Sequence, residues 1–322
     1  MNVLITGGSG FIGSYLAEEL INTGHKVVVL DDLSTGRLKN ICSLEGNPNF
    51  ELVIGTILNE KLVDKLVEKS DFIFHLAAAV GVELIVKKPL ESLTTNIKGS
   101  EIVLEMVYRY HKKILITSTS EIYGKNINGP LKENDDRILG SPLKTRWGYS
   151  TAKAVDEMLA YVYWKEKGVP SIIVRLFNTV GPRQTSAYGM VMPRFIEQAL
   201  KNEPITVYGT GKQTRCFIHV KDVIDALIEL IKKQEAVGEV FNIGSQEEIS
   251  IEELAMQAIK YTNSSSKIKY IPYEQAYEEG FEDMQRRVPD ITKIKTLIGF
   301  EPTYSLPEII KDIIDYLKNK PV

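Results

Sequence analysis

The sequence predicts an α/β protein built on a doubly wound parallel sheet, with a smaller C-terminal α/β lobe. Three observations carry this reading. The first half of the 322 residues alternates short apolar runs with amphipathic helical stretches, a glycine-rich turn joins the first run to the first helix, and the alternation stops in the second half. Strand–helix alternation implies right-handed crossovers and a sheet covered by helices on both faces. With 43% apolar content, a chain of this length can bury a large core and form two lobes.

Val3-Leu4-Ile5 reads as a buried strand over 2–6. Thr6 and Gly7-Gly8 turn the chain, and Gly10 and Gly13 lead into a helix over 11–22 whose Phe11, Ile12, Tyr15, Leu16 and Leu20 share one face. Such glycines let bare backbone approach a pyrophosphate at the positive end of the helix. Their position between strand and helix makes this a nucleotide-binding turn. Gly24 suits a left-handed helix cap. Further strands are predicted at 26–31, 50–54, 71–75, 112–118 and 170–175, and helices at about 60–69, 91–111 and 148–166. The polar stretch 125–148, punctuated by Gly129-Pro130 and Gly140-Ser141-Pro142, reads as a long functional loop. In the second half, Ser250 with Glu253 and Ser305 with Glu308 form capping boxes that open helices. The loop-rich segment 263–290 holds a strand at 267–271. Residues 1–178 are thus expected to form the nucleotide-binding domain, which also receives 215–245. Residues 179–322 are expected to form mainly the substrate lobe.

The net charge of −3 and the absence of a basic cluster exclude a nucleic-acid partner. Cys42 and Cys216, and His25, His75, His111 and His219, match no metal-ligand spacing, so no metal is expected. No apolar run reaches the roughly 20 residues of a membrane span. No leader is expected ahead of the first strand, and a reducing, cytoplasmic location is expected.

Asp31 ends the second strand, where a carboxylate accepts hydrogen bonds from an adenine-ribose diol. It would oppose a 2′-phosphate by about 4 kcal/mol at roughly 4 Å and an effective dielectric near 20. Asp32 adds to the same sign. Arg37 is the one nearby group suited to a phosphate, so NAD is the expected cofactor ahead of NADP.

Tyr149 and Lys153 share a helix face one turn apart. A neighbouring ammonium favours the phenolate and lowers a tyrosine pKa, which yields a general base for a sugar or alcohol hydroxyl. Tyr161 with Lys165 and Tyr163 with Lys167 repeat the spacing and read as ordinary core and surface positions. Context selects Tyr149, because the strand before it runs into Ser118-Thr119-Ser120-Glu121. Hydroxyls leaving the carboxyl end of a parallel strand point into the ligand crevice, which lets Thr119 share the substrate hydroxyl with Tyr149.

These motifs resemble the extended short-chain dehydrogenase/reductase family, the nucleotide-sugar epimerases and dehydratases, nearly end to end. Thr6 to Gly13 is similar to its opening fingerprint, and His75-Leu76-Ala77-Ala78 to the strand-four motif that lies along the cofactor. Ser118 through Gly124, with Tyr149 and Lys153, resembles its catalytic set. Arg175-Leu-Phe-Asn178 and Gly181-Pro182-Arg183 resemble the start of the sugar pocket. Tyr208-Gly209, Gln213-Thr214-Arg215 and Asp222 resemble the segment that grips the nucleotide. Arg286-Arg287-Val-Pro-Asp290 resembles the late motif whose arginine reaches the diphosphate. One departure is Gly55-Thr56-Ile57, where the family usually places an adenine-contacting aspartate after the glycine. Here the Thr56 hydroxyl is the candidate for that contact.

The resemblance implies a Rossmann-type doubly wound sheet that binds NAD through Gly7, Gly10, Phe11, Ile12, Gly13, Asp31, Asp32, Leu76, Ala77, Ala78, Tyr149 and Lys153. It implies transient oxidation at C4 of a nucleotide sugar, UDP-linked by family frequency. Tyr149 acts as base, Lys153 orients the ribose and holds Tyr149 ionised, and Thr119 aligns the hydroxyl. Arg215 and Arg287 would clamp the diphosphate, helped by Asn178. Met190 to Met192, with Thr185 to Gly189, suit a pocket wall. Glu121 and Ser120 match uronate decarboxylases, as does Arg287, whereas 79–89 lacks the Asn-Tyr pattern of many UDP-xylose-forming enzymes. A 4-epimerase needs only the residues already assigned and is the first expectation, ahead of a UDP-glucuronate decarboxylase and a 4,6-dehydratase. A non-catalytic dinucleotide sensor is the remaining alternative. The resemblance also implies a homodimer paired through helices 91–111 and 148–166, with Ile102, Val103, Met106, Val107, Leu159, Val162 and Tyr163 as candidate contacts.

Overall fold

The computed structural model describes residues 1–80, 88–186, 190–276, 282 and 284–319. The first half runs β1 (Asn2–Thr6), α1 (Phe11–Asn22), β2 (Lys26–Asp31), β3 (Phe50–Ile54), α2 (Glu60–Glu68), β4 (Phe72–His75), α3 (Pro89–Arg109), β5 (Lys113–Thr119), α4 (Gly148–Lys167) and β6 (Ser171–Leu176). Each element predicted there from the alternation is present. The second half runs β7 (Thr179–Val180), α5 (Val191–Leu200), β8 (Ile205–Tyr208), β9 (Thr214–Cys216), β10 (Ile218–His219) and α6 (Val220–Ile231). It continues through β11 (Val240–Ile243), β12 (Glu248–Ser250), α7 (Ile251–Thr262), β13 (Ile268–Ile271), α8 (Tyr273–Ala276), α9 (Thr292–Ile298) and α10 (Leu306–Lys318).

The central sheet has the order β11-β6-β5-β4-β1-β2-β3, and all its pairings are parallel. The order reverses between β1 and β4, so a crevice opens at the carboxyl ends of these strands. One face packs Val3, Ile5, Val29 and Phe74 against Leu16 and Leu20 of α1 and Val223 and Leu227 of α6. The other packs Leu4, Ile73 and Ile114 against Val63 of α2, Val103 and Val107 of α3 and Ala160 of α4. A separate core joins Phe195 of α5, Leu254 of α7, Val207 of β8 and Ile310 of α10. Both capping boxes are formed, at Ser250 with Glu253 and Ser305 with Glu308.

Two details differ from the sequence expectation. β11 falls within 215–245, the segment expected to join this domain, but is a strand not predicted there; it completes the sheet at the β6 edge, although Asn242 interrupts its apolar run. Ile102, Val103, Met106 and Val107 point inward, all buried in the sheet-side core, so they offer no outward contact.

The long loop 125–148 is held down from below. Arg175 of β6 pairs with both oxygens of Glu157 on α4 at 2.9 and 2.8 Å, and donates to Tyr123 Oη and to the Glu133 carbonyl. Leu131 exchanges backbone hydrogen bonds with Val288 and Asp290, which brings the loop beside the late arginine motif.

Candidate active site

A single cavity of about 770 Å³ runs along the carboxyl edge of the sheet and into the cleft below the second lobe. Its wall includes Gly7, Gly10, Phe11, Ile12, Gly13, Asp31, Asp32, Leu76, Ala77 and Ala78 at one end. Toward the other end lie Thr119, Ser120, Glu121, Tyr149, Asn178, Arg215 and Arg287. The structure therefore brings the expected site residues together. Lys153 is the exception: it is 2% exposed and stands behind the wall.

The dinucleotide end is shaped by glycine. Gly7 has φ +75°, and a Cβ there would lie 2.7 Å from the Ala77 amide nitrogen. A Cβ on Gly13 would fall 2.6 Å from Gly8 Cα, so α1 approaches the turn only because this position is bare. No side chain caps α1 among the described residues, which leaves its first-turn N–H groups for a ligand anion. Asp31 accepts from the amides of Ser9 and Leu33, each at 2.9 Å. Burial raises its carboxyl above the usual range, against the pull of those two amides. The oriented carboxylate, the uncapped helix and the glycine turn fit a dinucleotide with a free ribose diol. Arg37 is spent in part on Thr185 Oγ1 at 2.9 Å.

His75 is structural. It is fully buried between Thr6 Oγ1 at 2.8 Å and Ser100 Oγ at 3.0 Å, and burial, with the Lys153 charge, pushes it down to about 3. Thr56 accepts from the Leu58 amide at 3.2 Å, while its neighbours Gly55 and Ile57 line the cavity. The expected contact from its hydroxyl therefore has no support at the wall. Residues 81–87 of the 79–89 stretch that lacks the Asn-Tyr pattern lie outside the described residues, as do 187–189 of the proposed pocket wall and 277–281 and 283 of the late loop.

At the sugar end, Thr119 closes β5 and its Oγ1 accepts from the Glu121 amide at 3.2 Å. The Ser118 hydroxyl is buried at the wall with no partner among the described residues. Glu121 is held by Arg146 in a two-pronged pair at 2.6 and 3.1 Å, and Arg287 Nη1 stands 3.8 Å from the same carboxylate. Arg287 also donates to Ser120 Oγ at 3.3 Å and to Asn178 Oδ1 at 3.2 Å. Asn178 donates in turn to the Cys216 carbonyl at 2.7 Å, so it orients Arg287 in addition to facing the cavity. Arg286 turns away to Glu248. Arg146 was missed in the sequence. The only signal for it was its place in the polar loop three residues before Tyr149.

The Tyr149 phenol departs from expectation. Burial, then the carboxylates Glu121 and Asp156, push it above its ordinary value. Lys153 pairs instead with Asp156 at 2.9 Å, both side chains buried. The expected lowering by the lysine is therefore absent in this state.

An ionic latch ties down the 125–148 loop. Lys125 at 3.2 Å, Lys144 and the indole N–H of Trp147 at 3.1 Å all converge on Glu282, which is pushed down to about 2 by these donors. The loop bearing Arg146 is thereby tied to the segment leading to Arg287.

The family model described as GDP-mannose 4,6 dehydratase matches residues 4–313. The chain is 42% identical over 316 residues to UDP-N-acetyl-alpha-D-glucosaminuronate decarboxylase of Bacillus cytotoxicus, covering 98% of this chain and 97% of that protein. It is 36% identical to UDP-glucuronic acid decarboxylase 1 of Xenopus tropicalis, covering 99% of this chain and 72% of that protein. The crystal structure of UDP-glucuronic acid 4-epimerase from Bacillus cereus, in complex with UDP-glucuronic acid and NAD, matches with a TM-score of 0.89 at 32% identity, covering 99% of each chain.

Proposed function

The chain belongs to the GDP-mannose 4,6 dehydratase family, among the NAD-dependent nucleotide-sugar enzymes of the extended short-chain dehydrogenase/reductases, and on that premise we propose that it decarboxylates a UDP-linked hexuronate. The observation that carries this reading is the buried group of Glu121, Arg146 and Arg287 beside Tyr149. Oxidation of an alcohol needs a base and an aligned hydroxyl. Arg146 neutralises Glu121, and the Arg287 guanidinium at the same wall suits a substrate that brings its own carboxylate. The similarity to uronate decarboxylases places this reading ahead of the 4-epimerase first expected from the sequence.

Gly10, Phe11, Ile12 and Asp31 would hold NAD, whose nicotinamide accepts a hydride from C4 of the sugar when bound. Tyr149 takes the proton of the C4 hydroxyl, which Thr119 aligns. The C4 ketone is then β to the C5 carboxylate. The C5–C6 bond breaks, carbon dioxide leaves, and the electron pair passes to the C4 oxygen. Tyr149, now a phenol whose surroundings favour the protonated form, donates a hydrogen bond to that enolate.

A 4-epimerase shares the first step, and the solved UDP-glucuronic acid 4-epimerase keeps it as the second reading. Mass spectrometry and proton NMR after incubation with UDP-glucuronate and UDP-N-acetylglucosaminuronate separate the two. Loss of carbon dioxide supports decarboxylation, and an unchanged mass with altered ring coupling overturns it in favour of epimerisation.

A homodimer through α3 and α4 belongs to the same reading. Its support is the exposed Tyr108, Met158, Tyr161 and Val162 on these helices. Light scattering that finds only a monomer removes it.

A further inference from the structure

α4 carries a buried charge that the reaction above does not use. Asp156 is fully buried, and its Oδ2 lies 2.9 Å from Lys153 Nζ. Its Oδ1 has no hydrogen-bond partner among the described residues. Burying a carboxylate with an oxygen unsatisfied is costly, and the ion pair with Lys153 is what offsets it here. Tyr149, Lys153 and Asp156 follow one another at helical spacing, so phenol, ammonium and carboxylate share one stripe of α4. The ammonium favours a phenolate, the carboxylate opposes it, and the carboxylate holds the ammonium.

We propose that Asp156 is a positioning residue which, through its ion pair with Lys153, sets the pH at which Tyr149 becomes a base. The proposal rests on the reading of Tyr149 as the base. The other charged groups around this stripe are already committed. Glu121, after β5, is held by Arg146 and approached by Arg287 from the second lobe. His75 on β4 is kept neutral by burial. Arg175 on β6 is paired with Glu157. From α3, Glu101 and Glu105 act at Tyr163, further along the helix. Asp156 is thus the carboxylate that touches the lysine directly, and it adds to burial and Glu121 in keeping the phenol high despite a lysine one turn away.

The test uses the NAD-loaded protein. Phenolate formation at Tyr149 is followed by ultraviolet difference absorbance against Tyr149→Phe, and the pH profile of kcat/KM is measured in parallel. Asp156→Asn keeps the shape and removes the charge, and should move the phenolate midpoint down by about one pH unit. Asp156→Leu, which also removes the unsatisfied oxygen, should move it the same way, and Asp156→Glu should restore it. A phenolate midpoint unmoved in Asn and Leu overturns the proposal, whatever the loss of stability. If the absorbance midpoint moves while the kcat/KM profile stays fixed, Asp156 tunes the phenol but Tyr149 is not the base, which overturns the reading on which the proposal rests.

Discussion

Arg146 grips Glu121 through both carboxylate oxygens, and the two side chains are only 5% and 15% exposed. Removing one partner of a buried pair strands the other charge, at a cost of about 3–5 kcal/mol. Arg146→Ala should therefore lower stability by about that amount in urea unfolding, as well as slowing turnover. Arg146→Lys, which keeps the charge and loses the fork, should fall between. A denaturation midpoint unchanged in Arg146→Ala would show that the pair is not under burial strain.

The neighbouring arginines should separate in kinetics. Arg287 faces the cavity and Arg286 clips Glu248 and the Gly129 carbonyl at the surface. Arg287→Ala is expected to raise KM by about tenfold or more, as loss of a charged hydrogen bond to substrate would. Arg286→Ala should leave KM close to wild type. Equal effects would move the substrate site away from Ser120 and Asn178.

Asp31 predicts the choice of dinucleotide. Calorimetric titration of the cofactor-free protein should give tighter binding for NAD than for NADP. Asp31→Ala should weaken NAD by about tenfold and erase most of the difference, since it removes both the diol acceptor and the repulsion. Tighter NADP binding by the wild type would reverse the assignment.

Glycines of similar appearance should respond differently. Gly13→Ala sets a methyl against Gly8 backbone, which cannot move aside, and should abolish NAD binding or folding. Gly24, at φ +84°, has nothing within 4 Å of a Cβ. Gly24→Ala should thus cost only the left-handed backbone strain, about 1 kcal/mol. Retained NAD affinity in Gly13→Ala would refute the close approach.

The Glu282 latch should be acid-labile. Its carboxyl falls from the ordinary 4.5 to about 2 when folded, so its stabilisation is complete above the unfolded value and is lost as pH falls toward the folded one. The stability difference between wild type and Glu282→Gln should be constant at neutral pH and shrink below about 4.5. A difference independent of pH across that window would mean that the donors at Lys125, Lys144 and Trp147 do not act on the charge.

What the sequence could say followed from the range of each signal. Periodicity is a property of a few neighbouring residues, and the strands and helices up to β6 fall where it places them. β11 escaped because Asn242 sits mid-strand, where it donates to the Leu131 carbonyl and accepts from Tyr123; its polarity is satisfied from other parts of the chain. The Tyr149–Lys153 spacing was legible, while the direction of the phenol's shift was not. A shared helix face does not say that the phenol is buried, or that Asp156, on the same stripe, already holds the ammonium. The loop 125–148 was legible as functional from its length and turns. That it delivers Arg146 to Glu121 depends on the latch at Glu282 and the Arg175 network, and both join residues far apart in sequence.

The placement of β11 has a consequence for biosynthesis. A ribosome releases residues 1–178 with β6 as a bare margin, its hydrogen-bonding groups waiting for Val240–Ile243. Such a margin invites pairing with foreign strands. An early stop before residue 240 would yield an aggregation-prone fragment with an unfinished sheet.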